Sequence, residues 1–198
     1  MSNSAVQVAA QRNRALEIAL QAALVVGGSL FVAFCARIYL PLPGTPVPLT
    51  VQNLGVLFVG LALGSRRGFL ALALYLAEGT AGMPVFSPAL SGGFMQLLGP
   101  TGGYLIAYPF VAALTGFIFE RGKPTFARAA WAAIAGEILL FTCGIAQLYI
   151  ITHSLAKAIS FGLYWFVFAE VMKVMVAAGA AKGWQGLFRG ISLEVTEK

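Results

Sequence analysis

The chain has 198 residues, of which 59% are hydrophobic and only 10% charged, with a mean hydropathy of +0.85. That balance excludes a soluble globular domain, and the net charge of +6 does not point to nucleic acid, because the basic residues cluster at the ends of apolar runs. A single histidine excludes a His-based metal cluster and a Ser-His-Asp triad.

The apolar runs predict an all-α membrane protein, one integral domain over 1–198, with six transmembrane helices near 15–38, 48–64, 67–79, 101–120, 127–151 and 159–181. The first run starts near Leu16 without a small-residue cleavage site, so it is expected to stay as a helix of the mature protein. After it, Pro41, Pro43, Pro46 and Pro48 exclude helix and favour a stiff, extended connection. The second span opens with Thr50, Gln52 and Asn53, polar groups that serve either to bond neighbouring helices or to read an amide-like ligand.

The third span is short and runs directly into Gly79–Gly103, a Gly- and Pro-marked stretch with no charged residue. Irregular backbone between membrane-grade segments is tolerated only where protein buries it or it lines a cavity, so this stretch is expected to form a binding loop. Glu78 at its root is either a solvated cap or a pocket residue. Tyr75, Phe86, Phe94 and Tyr104 could supply apolar walls, although aromatics at helical spacing also serve as plain core. Gly99-Pro-Thr-Gly-Gly-Tyr104 starts the fourth span with small residues and exposed N–H groups, which suit a carbonyl or an anion.

Gly116 to Lys123 is no phosphate loop: five residues separate Gly116 from Gly122, and Pro124 stands where Ser or Thr is required. Glu137, in the fifth span, faces either the bundle interior or a partner subunit. Glu170 and Lys173 share one face of the sixth span at i, i+3, as an ion pair or a ligand clamp, and the nearby loop favours the clamp. Cys35 and Cys143 lie in apolar runs and are expected as small buried hydrophobes. The clusters Arg12/Arg14, Arg66/Arg67, Arg121/Lys123/Arg128 and Lys182/Arg189/Lys198 fall on one side of a six-span chain, against Arg37 and Lys157 on the other. The positive-inside rule then makes both termini cytoplasmic.

Pro48-Leu-Thr-Val-Gln-Asn-Leu-Gly55, Leu63-Gly-Ser-Arg-Arg-Gly68, Gly82-Met-Pro-Val-Phe86 and Gly99-Pro-Thr-Gly-Gly-Tyr104 closely resemble, in order and spacing, the BioY biotin transporter family. These are the substrate-binding (S) components of energy-coupling-factor (ECF) transporters, and the likeness covers roughly residues 15 to 181. It implies an ECF S-component-like bundle in a prokaryotic cytoplasmic membrane that captures biotin from outside. The implied partners are a transmembrane coupling protein and ABC-type ATPases, with no enzymatic activity or cofactor of the chain's own. The binding residues it implies are Thr50, Gln52, Asn53, Tyr75, Glu78, Phe86, Gly99, Thr101, Gly102, Gly103, Tyr104, Glu170 and Lys173. Ala15, Ala19 and Ala23 match the small-residue stripe that contacts the coupling protein.

The family's Pro-Phe-x-Pro-Gly-Asp-x-x-Lys run is here Trp165-Phe-Val-Phe-Ala-Glu-Val-Met-Lys173, with Glu170 for Asp and without the prolines and glycine. Leu105 stands where some relatives carry a basic residue, which makes Lys173 the expected partner of the biotin carboxylate. An S component for another vitamin, and a self-sufficient ion-coupled carrier using Glu137 or Glu170, are the alternative readings.

Overall fold

Long apolar runs free of proline form the first helix, α1 (Asn3–Cys35), whose outer faces carry exposed Leu16, Leu30 and Phe34. A computed structural model describes residues 3–196, with side chains from 14 to 181. Arg12, Lys182, Arg189 and Lys198, used above to orient the chain, lie outside the described side chains. After α1, β1 (Tyr39–Leu40) pairs antiparallel with β2 (Leu49–Thr50), in the register Tyr39↔Thr50 and Leu40↔Leu49. The ladder stops there because the prolines between the strands have no N–H to extend it.

Helix α2 (Gln52–Thr80) is a hairpin rather than a rod. Gly64 sits at φ 82, ψ 178, inside what is otherwise continuous helix. A straight helix would hold Gln52 and Tyr75 about 34 Å apart, yet Gln52 Nε2 donates to the Tyr75 hydroxyl at 2.9 Å. The chain therefore reverses at Gly64 into two antiparallel arms, 52–63 and 65–80. Glycine alone takes this backbone conformation without strain, and a Cβ there would stand 1.8 Å from Glu120 Oε1. That carboxylate accepts the Ser65 N–H at 3.2 Å, which caps the second arm with a negative charge at its positive end.

The 79–103 stretch is not structureless throughout: it contains α3 (Gly93–Leu98). Helices α4 (Gly102–Glu120) and α5 (Phe126–Thr152) follow the expected fourth and fifth spans closely. His153 at φ 50 ends α5, and the connection that sequence placed over 152–158 is shorter, because α6 (Leu155–Ile159) has already begun. The expected sixth span is broken. A π-helical segment (Ser160–Tyr164) joins α6 to α7 (Val167–Thr196), and the two halves meet at 44°.

Among the described residues, four helices are long and apolar enough to cross a membrane, and the bent α6–α7 pair makes a fifth. The α2 hairpin packs between α1 and α4, and α4 packs on α5, around buried Val32, Leu57, Leu72, Val111 and Leu148. The fit is close: a Cβ on Gly60 would lie 2.6 Å from the Ala112 carbonyl oxygen. Large side chains such as Trp131, Ile138 and Phe168 instead point outward. That pattern suits a lipid environment and would be an aggregation hazard in water. Cys35 is buried and Cys143 half-buried, both as free thiols.

Candidate ligand-binding site

The first arm of α2 begins directly after β2, so Thr50, Gln52 and Asn53 arrive together at one end of the bundle. There they meet the 81–101 segment, the start of α4, the middle of α5 and the broken helix. These elements surround about 540 Å³ of atom-free space, part of it open to solvent. The walls are Tyr104, Leu105, Tyr108, Leu140, Phe141 and Phe166, and the polar lining is Thr50, Gln52, Asn53, Ser87, Gln96, Thr101, Glu170 and Lys173.

One hydrogen-bonded network forms a wall of this cavity. Lys173 Nζ donates to Glu170 Oε1 and to Asn53 Oδ1, each at 2.7 Å. Asn53 Nδ2 donates to Glu170 Oε2 and, at 3.2 Å, to Glu137 Oε1. Glu137, without a local partner in sequence, is thus held behind Asn53 in the bundle interior, and its buried Oε2 has no hydrogen-bond partner among the described residues. The network is nearly dry: the Lys173 and Glu170 side chains are 12% and 8% exposed. Its spare capacity follows from counting. Asn53 has used both N–H groups, the ammonium has used two of its three, and each Glu170 oxygen accepts once with a lone pair to spare. What remains at the cavity wall is one N–H donor beside carboxylate acceptors.

The opposite side carries polar atoms without partners. Ser87 Oγ, Gln96 Oε1 and Thr101 Oγ1 are buried and unbonded among the described residues. Thr101 is the N-cap of α4 but makes no side-chain cap bond, so its hydroxyl is open to another group, while the first N–H of the helix, on Gly102, already donates to Gly99 O at 3.1 Å. Buried polar atoms left unbonded cost about 1–3 kcal/mol each, and a polar ligand in the cavity would supply their partners.

The broken helix is shaped to this cavity. A π-turn leaves carbonyls without their usual helical donors, and two of them are taken from outside: Thr45 Oγ1 donates to Phe161 O at 2.7 Å and the Tyr104 hydroxyl to Gly162 O at 2.9 Å. Tyr104→Phe should leave the Gly162 carbonyl buried and unpaired, and lower stability by about 1–3 kcal/mol. Thermal unfolding of the purified protein in detergent checks this.

Of the residues expected from sequence, Thr50, Gln52, Asn53, Thr101, Tyr104, Glu170 and Lys173 line the cavity and six do not. Tyr75 lies behind Gln52, fully buried, with its ring against Phe86 (centroids 5.4 Å). Phe86 is a packing residue, so close to Gly79 that a Cβ there would lie 2.1 Å from the ring. Glu78 accepts from Ser29 Oγ at 2.6 Å and ties α1 to the root of the 81–101 segment. Gly99 O accepts weakly from Gln147 Nε2 (3.5 Å), while Gly102 and Gly103 let the backbone approach Leu97 and Cys143. Ala15, Ala19 and Ala23 lie exposed along α1. Sequence reasoning missed Ser87 and Gln96; their being the polar residues of an uncharged loop was the available signal.

A second hollow, about 1500 Å³, runs between α5 and α7. Its lining of Ile134, Ile138, Tyr149, Val171 and Met175 is exposed on the outer surface, so it is a lipid-facing groove. Its size does not make it the ligand site, because its surface is almost wholly apolar, with Glu137 and Glu170 already engaged in the network, and it is the less enclosed of the two. Among the described residues, no three His, Cys, Asp or Glu side chains gather to hold a metal ion.

The family model described as "BioY family" matches residues 5–190. A biotin transporter BioY of Thermotoga maritima is 34% identical over 155 residues, 78% of this chain and 90% of the relative. A probable biotin transporter BioY of Pyrococcus horikoshii is 35% identical over 141 residues, 71% of this chain and 82% of the relative. Among solved structures, an S-component for biotin from an ECF-type ABC transporter superposes with a TM-score of 0.76 at 22% identity, covering 94% of this chain and 95% of that one. At that identity the superposition speaks for the fold alone.

Proposed function

The chain belongs to the BioY family, and from that premise we propose that it captures biotin as the S component of an ECF-type transporter in a prokaryotic cytoplasmic membrane. The observation that carries this reading is the spare hydrogen-bonding capacity of the Asn53–Glu170–Lys173 wall. A ureido ring brings one carbonyl acceptor and two N–H donors, the complement of one ammonium N–H beside carboxylate acceptors. The fused bicycle then packs on Tyr104, Tyr108, Phe141 and Phe166.

This reading moves the biotin carboxylate away from Lys173. A carboxylate brought to that ammonium would stand beside Glu170, already paired with it at 2.7 Å, and like charges at that range repel. The start of α4 offers instead the unbonded Thr101 hydroxyl, whose O–H can donate to an anion at the positive end of that helix.

The two arms of α2 count as two crossings in this reading, which with α1, α4, α5 and the broken α6–α7 helix makes six. Both termini are then cytoplasmic, and the chain forms a single membrane domain. The exposed Ala15, Ala19 and Ala23 face of α1 is the docking stripe for a transmembrane coupling protein, through which ABC-type ATPases act; the chain itself performs no catalysis. Titration calorimetry of the purified protein should show one saturable biotin site of nanomolar strength, about 12 kcal/mol. Absence of saturable biotin binding, or tighter binding of another vitamin in competition, would overturn the assignment.

A further inference from the structure

We infer that Tyr75, which does not touch the cavity, is a positioning residue that sets the hydrogen-bonding polarity of Gln52 and so selects a ligand N–H at that point of the wall. This rests on the proposed ureido ligand.

Val85 O is buried in the 81–101 segment and can only accept; its partner is the Tyr75 hydroxyl at 3.0 Å. A hydroxyl has one hydrogen, so Tyr75, having given it to Val85 O, has only lone pairs to offer Gln52. Gln52 lies 2.9 Å away through Nε2, and only this orientation of its amide satisfies Tyr75. The flipped amide would set carbonyl oxygen against hydroxyl oxygen with no hydrogen between them. With Nε2 turned back to Tyr75, Oε1 is the end of the amide left for the cavity, which Gln52 lines. An acceptor there pairs with a ligand N–H and rejects a ligand oxygen.

The relay is held rigidly. Tyr75 is 0% exposed and Gln52 3%. The Tyr75 ring is fixed between Phe86 and Tyr108, with centroids at 5.4 and 6.5 Å. Both hydrogen bonds are buried, where water does not compete for either partner. The same hydroxyl also joins the cavity wall to the loop that carries Ser87, so the polarity of Gln52 and the seating of that loop are set by one group.

The test is titration of the full-length protein, wild type and Tyr75→Phe, with biotin and with the two cyclic carbamates in which either ring N–H is replaced by oxygen. In the wild type, at least one carbamate should bind about 100-fold more weakly than biotin, since a buried acceptor then faces an acceptor. In Tyr75→Phe the Gln52 amide is free to turn, and that ratio should fall about tenfold, while biotin itself weakens by less. A purely structural role for Tyr75 would weaken biotin and both carbamates together, leaving the ratios unchanged, and that result overturns the inference. If Tyr75→Phe yields no folded protein, Gln52→Met takes its place: the ratio must collapse there too, and its persistence is equally fatal. Tight wild-type binding with unmoved ratios defeats the Tyr75 assignment alone, whereas no wild-type binding of biotin defeats the ligand and the inference together.

Discussion

Lys173→Met should weaken biotin binding by about 10- to 100-fold, and should weaken biotin amide equally. Lys173 is the one cation in a network with Glu170, Glu137 and the Asn53 carbonyl. Losing a hydrogen bond from a charged donor to the ligand costs about 1.5–3 kcal/mol, which is about 10- to 100-fold in affinity, and the Glu170 charge left behind separately destabilises the fold. The loss falls on both ligands because the ammonium is assigned to the ureido carbonyl, which biotin and its amide share. Calorimetry with the two ligands separates the assignments: a much larger loss for biotin would return Lys173 to the carboxylate, as expected from sequence. Glu170→Gln in the Lys173→Met background should recover folding stability without recovering affinity, since it relieves the stranded charge but restores no donor.

Gly64→Val should be the most damaging substitution outside the cavity. A β-branched residue at φ 82, ψ 178 is strained by about 1–3 kcal/mol. Its Cβ would also displace Glu120 from the Ser65 N–H, a cap worth about 0.5–2 kcal/mol. The hairpin brings Gln52 to Tyr75, so opening it dismantles the cavity wall as well. The yield of monodisperse protein and its thermal midpoint check this. Glu120→Ala should show the smaller loss of the cap alone, and near-native behaviour of Gly64→Val would refute the hairpin.

What could be read in the sequence divides along the range of the interactions. Helix positions followed from hydropathy, so α4 and α5 lie within about two residues of expectation. The i, i+3 pair Glu170–Lys173 is local and was legible. The partnership of Asn53 with Glu137, 84 residues apart, was not, because nothing near Glu137 in the chain announces it. The π-segment also escaped, since its donors, Thr45 and Tyr104, are 116 and 58 residues from the carbonyls they satisfy. Aromatic spacing leaves Tyr75 and Phe86 between wall and core, because it does not distinguish the layer facing a ligand from the layer behind it. Glu78 reads in sequence as a solvated cap or a pocket residue, and its partner is the Ser29 hydroxyl of α1.

The two π-segment bonds give the mouth of the cavity an asymmetric rim. On one side, Thr45 pins the proline-rich turn to Phe161 O at 2.7 Å and also accepts the Val47 N–H at 3.1 Å, so that edge is anchored on the broken helix. The opposite edge, 87–99, is hydrogen-bonded to α5, among the described residues, only through Gln147, at 3.3 and 3.5 Å. A displacement of the broken helix is therefore carried to the proline-rich turn through Thr45, while among the described residues no side-chain hydrogen bond carries it to the 87–99 edge.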